Sequence, residues 1–117
     1  MSAFESLRIA GSGLGMHQTW LDALSHNIAN VGTVRATDQE AFRAQLVVAE
    51  SRDDGGVRVR EVALTSAEGR MTYQPEHPLA DAEGYVRLPD MEMSDQMTEL
   101  IMAQRGFQAS AQVTKFA

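Results

Sequence analysis

The residues best suited to chemistry lie in the segment PEHPLADAEG, residues 75–84. It brings together Glu76, His77 and Asp81, whose side chains can hold metal ions or act as general acids and bases. Their spacing matches no zinc motif, and the proline after His77 holds that residue in extended backbone. A small metal-dependent enzyme is one alternative for this chain, but the pattern favours a structural loop or a subunit contact.

Two further patterns have simpler structural explanations. The run GSGLG, residues 11–15, follows no predicted strand and lacks the Lys-Ser/Thr of a phosphate-binding loop, so it indicates close helix packing. His17 and His26 are nine residues apart and face nearly opposite sides of a helix, so they cannot share a ligand. We therefore predict no catalytic residue, no metal ligand and no cofactor.

The bulk composition excludes several classes of function. The 117 residues are one domain at most, and their net charge of −6 leaves no basic surface for nucleic acid or an anionic membrane. No apolar run approaches the roughly 20 residues of a transmembrane helix. The first residues do not have the pattern of a cleaved signal peptide. There is no cysteine, so disulfide and thiolate chemistry are absent.

Residues 3–31 have the heptad pattern of a coiled-coil helix. Its repeating positions are Leu7, Ala10, Leu14, His17, Leu21, Leu24 and Ile28. Gly32 is a candidate for the left-handed residue after the helix. The helix carries few charges, which indicates that it meets protein on more than one side. Its three interior glycines each cost about 1 kcal/mol relative to alanine, so we expect the helix to fold on association.

The rest of the chain predicts a small β-rich insert and a second helix. Residues 41–50 and 56–64 form a predicted hairpin, and residues 69–74 and 84–89 are further short strands. A helix over 90–117 begins at Asp90 or Ser94. Its seam is Met93, Met97, Leu100, Gln104, Phe107, Ala111 and Thr114. The predicted fold is α+β, in which two long terminal helices pair as a coiled coil, with segments 1–34, 35–89 and 90–117.

Two amides stand near the end of the first helix. Asn27 and Asn30 have no catalytic partner nearby in the sequence. Amides beside a coiled-coil seam act on register and partner choice, and we predict that role for both. The residues alone therefore indicate a self-assembling helical protein, with a soluble coiled-coil adaptor as an alternative.

Two long stretches resemble a known family. LRIAGSGLGMHQTWLDALSHNIANVGT, residues 7–33, resembles the N-terminal signature of the axial proteins of the bacterial flagellum, with Ser25, Asn27, Ile28, Ala29, Asn30 and Thr33 at its core. Residues 73–113 are similar to the proximal rod proteins of the FlgC type. The matching positions there are Pro75, His77, Pro78, Ala80, Asp81, Gly84, Tyr85, Val86 and Pro89, followed by Arg105, Phe107, Gln108 and Ala109.

This resemblance implies a structural subunit of the flagellar basal-body rod in the cell envelope, at the level of the periplasm. Such a subunit leaves the cytoplasm through the flagellar type III export apparatus without a cleaved signal. It polymerises through its terminal helices to form the drive shaft and the export channel wall, and so transmits torque. The implied partners are copies of itself, other rod proteins and the adaptor to the membrane ring, with no nucleic acid or small-molecule substrate. Another short axial rod subunit is the nearest alternative.

The heptads and the resemblance together predict two sets of contact residues. The assembly interface is Leu7, Leu14, Leu21, Leu24, Asn27, Ile28, Asn30, Met97, Leu100, Phe107, Gln108 and Ala111. Within it, the leucines and isoleucine at heptad spacing in the first helix are expected to pack against Met97, Leu100, Phe107 and Ala111. The loop residues His77, Pro78, Asp81, Gly84 and Tyr85 are expected to position the insert against neighbouring subunits.

Overall fold

A long antiparallel helix pair carries two small hairpins. The computed structural model describes residues 2–116. Its elements are helix α1 (Ala3–Ala29), strands β1 (Gln45–Ser51), β2 (Val57–Leu64), β3 (Arg70–Tyr73) and β4 (Tyr85–Leu88), and helix α2 (Met93–Phe116). This arrangement confirms the predicted α+β fold with paired terminal helices and a β-rich insert.

Side-chain caps set both ends of α1. The Ser2 hydroxyl accepts a hydrogen bond from the Glu5 N–H at 3.1 Å, which satisfies one free donor of the first turn. At the other end, Asn30 is the C-cap, and its backbone N–H donates to carbonyl oxygens of the last turn. The helix therefore ends at Ala29, two residues before the predicted end. Gly32 does not adopt the left-handed conformation, so its predicted capping role is wrong.

Helix α2 begins between its two predicted start residues. The Gln96 N–H donates to the Glu92 carbonyl at 3.1 Å, so Glu92 precedes the first helical residue, Met93. The Arg70 guanidinium lies 2.6 Å from the Glu92 carboxylate and 3.5 Å from that of Asp90. The hydrogen bond with Glu92 is the main reason that the pKa of Arg70 is raised. These ion pairs tie β3 to the start of α2.

The insert consists of two separate two-stranded antiparallel sheets. β1 pairs with β2 from Gln45↔Leu64 to Ser51↔Val57, with a bulge between Val48 and Ala49. β3 pairs with β4 from Arg70↔Leu88 to Tyr73↔Tyr85. All four predicted strands are present, with ends that differ from the predicted ones by a few residues at most. A two-stranded hairpin is marginal alone, so the insert depends on packing against the rest of the chain.

The molecule is elongated. It measures 65 × 23 × 14 Å, and its radius of gyration of 18.7 Å exceeds the roughly 13 Å of a compact domain of this length. Its accessible surface is 7290 Å², against about 6300 Å² for a typical folded monomer of the same mass. Neither helix within residues 2–116 combines the length and the apolar character of a membrane-spanning segment. The fold therefore leaves an unusually large surface uncovered.

Candidate assembly interface

Three close contacts define how α1 and α2 face each other. A Cβ on Gly13 would lie 2.6 Å from Ser110 Oγ, and a Cβ on Gly106 would overlap the His17 ring. Asn27 Nδ2 donates to Gln96 Oε1 at 3.0 Å. From one contact to the next, the residue number increases along α1 by the same amount by which it decreases along α2. This is what an antiparallel pair in a single register requires.

The seam, defined as the helix positions that face the other helix, follows from this register. Continuing the 3-4 spacing through these contacts gives Ala10, Gly13, His17, Trp20, Leu24 and Asn27 on α1, and Gln96, Glu99, Ala103, Gly106, Ser110 and Val113 on α2. On α1 the predicted seam and the observed seam share Ala10, His17 and Leu24, and they differ at the positions between these. On α2 the predicted seam is wrong by one residue throughout.

Close approach of the two backbones explains why the observed seam differs from the predicted one by one residue. The seam contains Gly13, Gly106 and Ala103, the last of which has no exposed surface. Small residues let two helices approach closely, and a larger side chain at Gly106 would displace the His17 ring. His17 is held there by its own helix, because Nδ1 lies 2.7 Å from the Gly13 carbonyl oxygen and donates to it. Small residues therefore face the partner helix at the points of closest approach, in the same seam as Trp20 and Leu24.

Many of the large apolar residues of the two helices lie on one side of the helix pair, which we call the open face. Most of its residues follow a seam residue by one position, which is 100° around the helix. Because the two helices are antiparallel, this rotation places the residues of both helices on the same side of the pair. The open face consists of Phe4, Leu7, Gly11, Leu14, Gln18, Leu21, Ser25 and Ile28 with Met93, Met97, Leu100, Gln104, Phe107, Ala111 and Thr114. None of these residues is buried, and none is ionisable.

The open face contains most, but not all, of the predicted assembly residues. Leu7 and Met97 are exposed, whereas Leu14, Leu21, Ile28, Leu100, Phe107 and Ala111 are half-buried. Gln108 is exposed on the outer side of α2. Leu24 and Asn27 are buried in the seam, at 2% and 0% exposure, so the single chain does not offer them to another copy. Their predicted part in the assembly interface stays a prediction.

Asn27 joins three segments of the chain. Besides its bond to Gln96, its Nδ2 donates to the Gln45 carbonyl at 2.9 Å, and its Oδ1 accepts from the Gln45 N–H at 2.8 Å. The side chain thus connects α1, the first residue of β1 and the first turns of α2. Within residues 2–116 no buried side-chain nitrogen or oxygen lacks a partner. Asn27 therefore joins α1, β1 and α2 within the chain, and its predicted role in the register of the assembly stays a prediction.

Asn30 has a different and local role. Its Nδ2 donates to the His26 carbonyl at 2.9 Å, and its Oδ1 accepts from the Thr33 hydroxyl at 3.2 Å. Both bonds stay at the end of α1, so the side chain shapes the turn that leaves the helix. A contact of the half-buried Asn30 with another copy stays a prediction.

Asp81 organises the loop between β3 and β4. Its Oδ1 accepts from the N–H groups of Glu83 and Tyr85, each at 2.9 Å, and its Oδ2 accepts from the Thr37 hydroxyl at 3.1 Å. The hydrogen bond from Tyr85 is the largest cause that holds the pKa of Asp81 below its usual value. Partial desolvation opposes it, and the bond from Thr37 adds to it. The loop is therefore pinned to the segment after α1.

The other predicted loop residues complete the turn. His77 Nδ1 accepts from the Leu79 N–H at 3.0 Å, and the Gly84 N–H donates to the Asp81 carbonyl at 3.0 Å. The rings of Tyr85 and Tyr73 meet edge to face at 5.4 Å. Pro78 is exposed. The Oδ1 of Asp81 and the Nδ1 of His77 are thus used by the loop itself, and the Oδ2 of Asp81 is used by Thr37. No group of three metal-ligating side chains is arranged for an ion in the described part of the chain.

The hairpin β1–β2 covers the side of α1 opposite the open face. Arg8 Nη2 donates to the Asp54 carbonyl at 2.5 Å, and the Ser12 hydroxyl accepts from the Val57 N–H at 3.0 Å. Gly55 at the hairpin tip lies against Ile9. These contacts attach the tip to the first half of α1, while the Asn27 bonds attach the base.

A groove lies between the hairpin tip and the two helices. It has a volume of about 530 Å³ and is lined mainly by Ile9, Ala10, Gly13, Val57, Ala109 and Val113. No Asp, Glu, Lys or Arg lines it. Sequence reasoning missed this groove, because its residues come from three elements and are mostly small. The Gly13 and Gly56 positions were the only signal, since small residues mark sites of close approach.

Comparison with known proteins identifies the family. The chain is 36% identical to the flagellar basal-body rod protein FlgC of Yersinia enterocolitica over 118 residues, which cover 97% of this chain and 88% of the relative. It is 34% identical to that of Salmonella typhimurium and 30% identical to that of Borreliella burgdorferi, again over 97% of this chain and 88% and 89% of the relatives. No family model matches the chain. With paired terminal helices, an uncharged open face and this similarity over nearly its whole length, the chain belongs to the FlgC family of structural rod proteins of the flagellar basal body.

Proposed function

We propose that this chain polymerises through the open face of its helix pair and so forms part of the wall of the flagellar rod. The observation that carries the proposal is the open face itself, which bears Phe4, Leu7, Met93 and Met97 at 37–84% exposure and no ionisable residue. A solvated helix pair of this length would carry Lys and Glu there. An uncharged apolar face is typical of a surface that other protein covers.

The size of the uncovered surface supports the proposal. The accessible area of 7290 Å² exceeds that of a typical monomer of this mass by about 1000 Å². A standard protein interface buries about 800 Å² of each partner. Helix α2 also exposes Ile101 and Met102 away from the open face, so neighbours on more than one side are expected.

In this proposal the chain has a mechanical rather than a catalytic role. Copies of the chain, other rod proteins and the adaptor at the membrane ring bury the helix pairs, and the resulting shaft transmits torque and encloses the export channel. The subunit reaches this position, at the level of the periplasm, through the flagellar type III export apparatus. The Glu76–His77–Asp81 loop supports a structural role, because its polar atoms stabilise its own turn. A contact of this loop with a neighbouring subunit is part of the proposal.

The test begins with an in-frame deletion of the gene in the bacterium that encodes it. We expect loss of swimming and basal bodies whose rods are incomplete, with both restored by the intact gene. Normal rods and swimming in the deletion strain would contradict the proposal.

Substitutions then localise the interface. Met97→Lys and Gln104→Lys each place a charge on an exposed position of the open face. We expect both variants to be made and exported but to stall rod assembly. Ala29→Lys is the matched control, because Ala29 is exposed on the outer side of α1. If the open-face variants built rods as well as the control, the open face would not be the interface.

A further inference from the structure

We propose that the groove beside the hairpin tip receives the exposed Phe4 and Leu7 of a second copy of this chain. The inference rests on the proposed assembly function and names the two surfaces that meet. The groove and the open face lie on opposite sides of the same helix pair, since groove residues Ile9 and Ala109 precede seam residues while open-face residues follow them. A contact between them is therefore one between different patches of identical chains.

The chemistry of the two surfaces is complementary. The groove has a volume of about 530 Å³, within the roughly 300–1,000 Å³ typical of sites that enclose small apolar groups. It opens beside the seam near the free ends of the helices, and no Asp, Glu, Lys or Arg lines it. Phe4 is 84% exposed on the first turn of α1, so its aromatic ring is almost fully in water in the single chain. Burial of that ring in an uncharged groove is favourable, and no charge opposes it.

The geometry also dictates the kind of assembly. A protruding apolar side chain and a pocket elsewhere on the same molecule make a heterologous contact, which generates rings or open helical filaments rather than closed two-fold dimers. Each copy would offer Phe4 to one neighbour and its groove to another. A rod subunit needs such a repeating contact. The accessible surface of the single chain exceeds that of a typical monomer of its mass by about 1000 Å², which is similar to one partner's share of a standard interface.

Site-directed cross-linking tests the contact in assembled rods. The chain contains no cysteine, so any disulfide that joins two copies of it must form between introduced cysteines. In cells that carry Phe4→Cys with Ala109→Cys in one chain, mild oxidation should yield dimers, trimers and a longer ladder, since disulfides form only between closely opposed residues. Each single variant should give no ladder. Leu7→Cys with Val113→Cys is a second pair of exposed positions, for use if the first pair impairs swimming.

Control pairs and outcomes separate this inference from the proposed function. Ala29→Cys with Ala109→Cys places the first thiol away from both surfaces and should not cross-link. Swimming cells with complete rods but no ladder from either test pair would overturn the inference and leave the assembly function intact. A dimer from Phe4→Cys alone would also overturn it, because that product means two open faces meet. A ladder with intact swimming supports it.

Discussion

At the scale of single residues, two side chains hold distant segments together. Asn27 is fully buried and binds α1 to β1 and α2, whereas Asn30, three residues later, bonds only within the end of its own helix. Asp81 closes the loop after β3 and ties it to Thr37. Polar residues that look alike in the sequence therefore have different hydrogen-bond partners, and their replacement leaves different groups unpaired.

Replacing Asn27 tests its role as the joint. Asn27→Leu leaves the N–H and carbonyl of the half-buried Gln45 and the amide of the buried Gln96 without their partner. An unsatisfied buried group costs about 1–3 kcal/mol, and the two half-buried groups of Gln45 cost less because water reaches them. We expect the free energy of unfolding to fall by about 2–4 kcal/mol in urea titrations followed by circular dichroism. Asn30→Ala is the control and should cost about 1 kcal/mol, because its bonds lie at a helix end. Equal losses in the two variants would contradict the assignment.

The loop should respond to acid through Asp81. Because folding lowers the pKa of this carboxyl from its usual value of 3.8, the folded state binds fewer protons than the unfolded state. The resulting stabilisation is present above about pH 4 and is lost as the pH falls through the lowered pKa. NMR titration of the Glu83 and Tyr85 amides should show a midpoint below 3.8 that disappears in Asp81→Asn. A midpoint at or above 3.8 would count against the hydrogen-bonded carboxylate.

At the scale of elements, the helix pair is defined by small residues at its seam. Gly13 faces Ser110, and Gly106 faces the His17 ring, so neither glycine position has room for a larger side chain. Gly15, two residues from Gly13, has nothing within 4 Å of where a Cβ would stand. Glycines in the same helical region therefore serve different purposes, and only those in the seam are required by packing within the chain.

A pair of alanine substitutions separates these purposes. Gly15→Ala should stabilise the chain by about 0.5–1 kcal/mol, because alanine is the better helix former and meets no neighbour. Gly106→Ala should destabilise it by about 1–3 kcal/mol, because the added methyl group displaces the His17 ring. Urea unfolding measures both changes in the free energy of unfolding. Stabilisation by both variants would mean that the two helices are not in this register.

At the scale of the whole molecule, the chain is a thin rod with two different long sides. The open face is uncharged, the hairpin covers the opposite side of α1, and ion pairs such as Arg58–Glu50 lie on the hairpin, away from the open face. Exposed ion pairs contribute little and weaken in salt, whereas burial of apolar surface does not depend on charge. Contacts between copies should therefore be insensitive to ionic strength.

Sedimentation of the purified chain checks this expectation. At a protein concentration where copies associate, the weight-average sedimentation coefficient should not fall between about 0.05 and 0.5 M salt. Met97→Lys should lower it at both salt concentrations, since the charge lies on the open face. A steep fall with salt for the unaltered chain would show that ion pairs, and not the open face, hold copies together.

The sequence by itself determined the elements and the family. Heptad spacing, β-rich runs and turn residues are local signals, so both helices, all four strands and the α+β class follow from them. The Asn27–Asn30 motif and the loop from Pro75 to Pro89 identified the FlgC type, which the relatives confirm. These signals can be read without knowing which elements pack against each other.

Only the tertiary structure decided which side of each helix meets which partner. Hydrophobicity placed Leu14, Leu21 and Phe107 in the seam, but the seam belongs to Gly13, Trp20 and Gly106, one residue away. A shift of one residue rotates the contact side of a helix by 100°. Which side makes the contact depends on how closely the two backbones approach, and that is a property of both helices together. The groove depends on three elements at once. Register and surface are therefore set by packing, and the large apolar residues that the seam does not use stay exposed or half-buried on the open face.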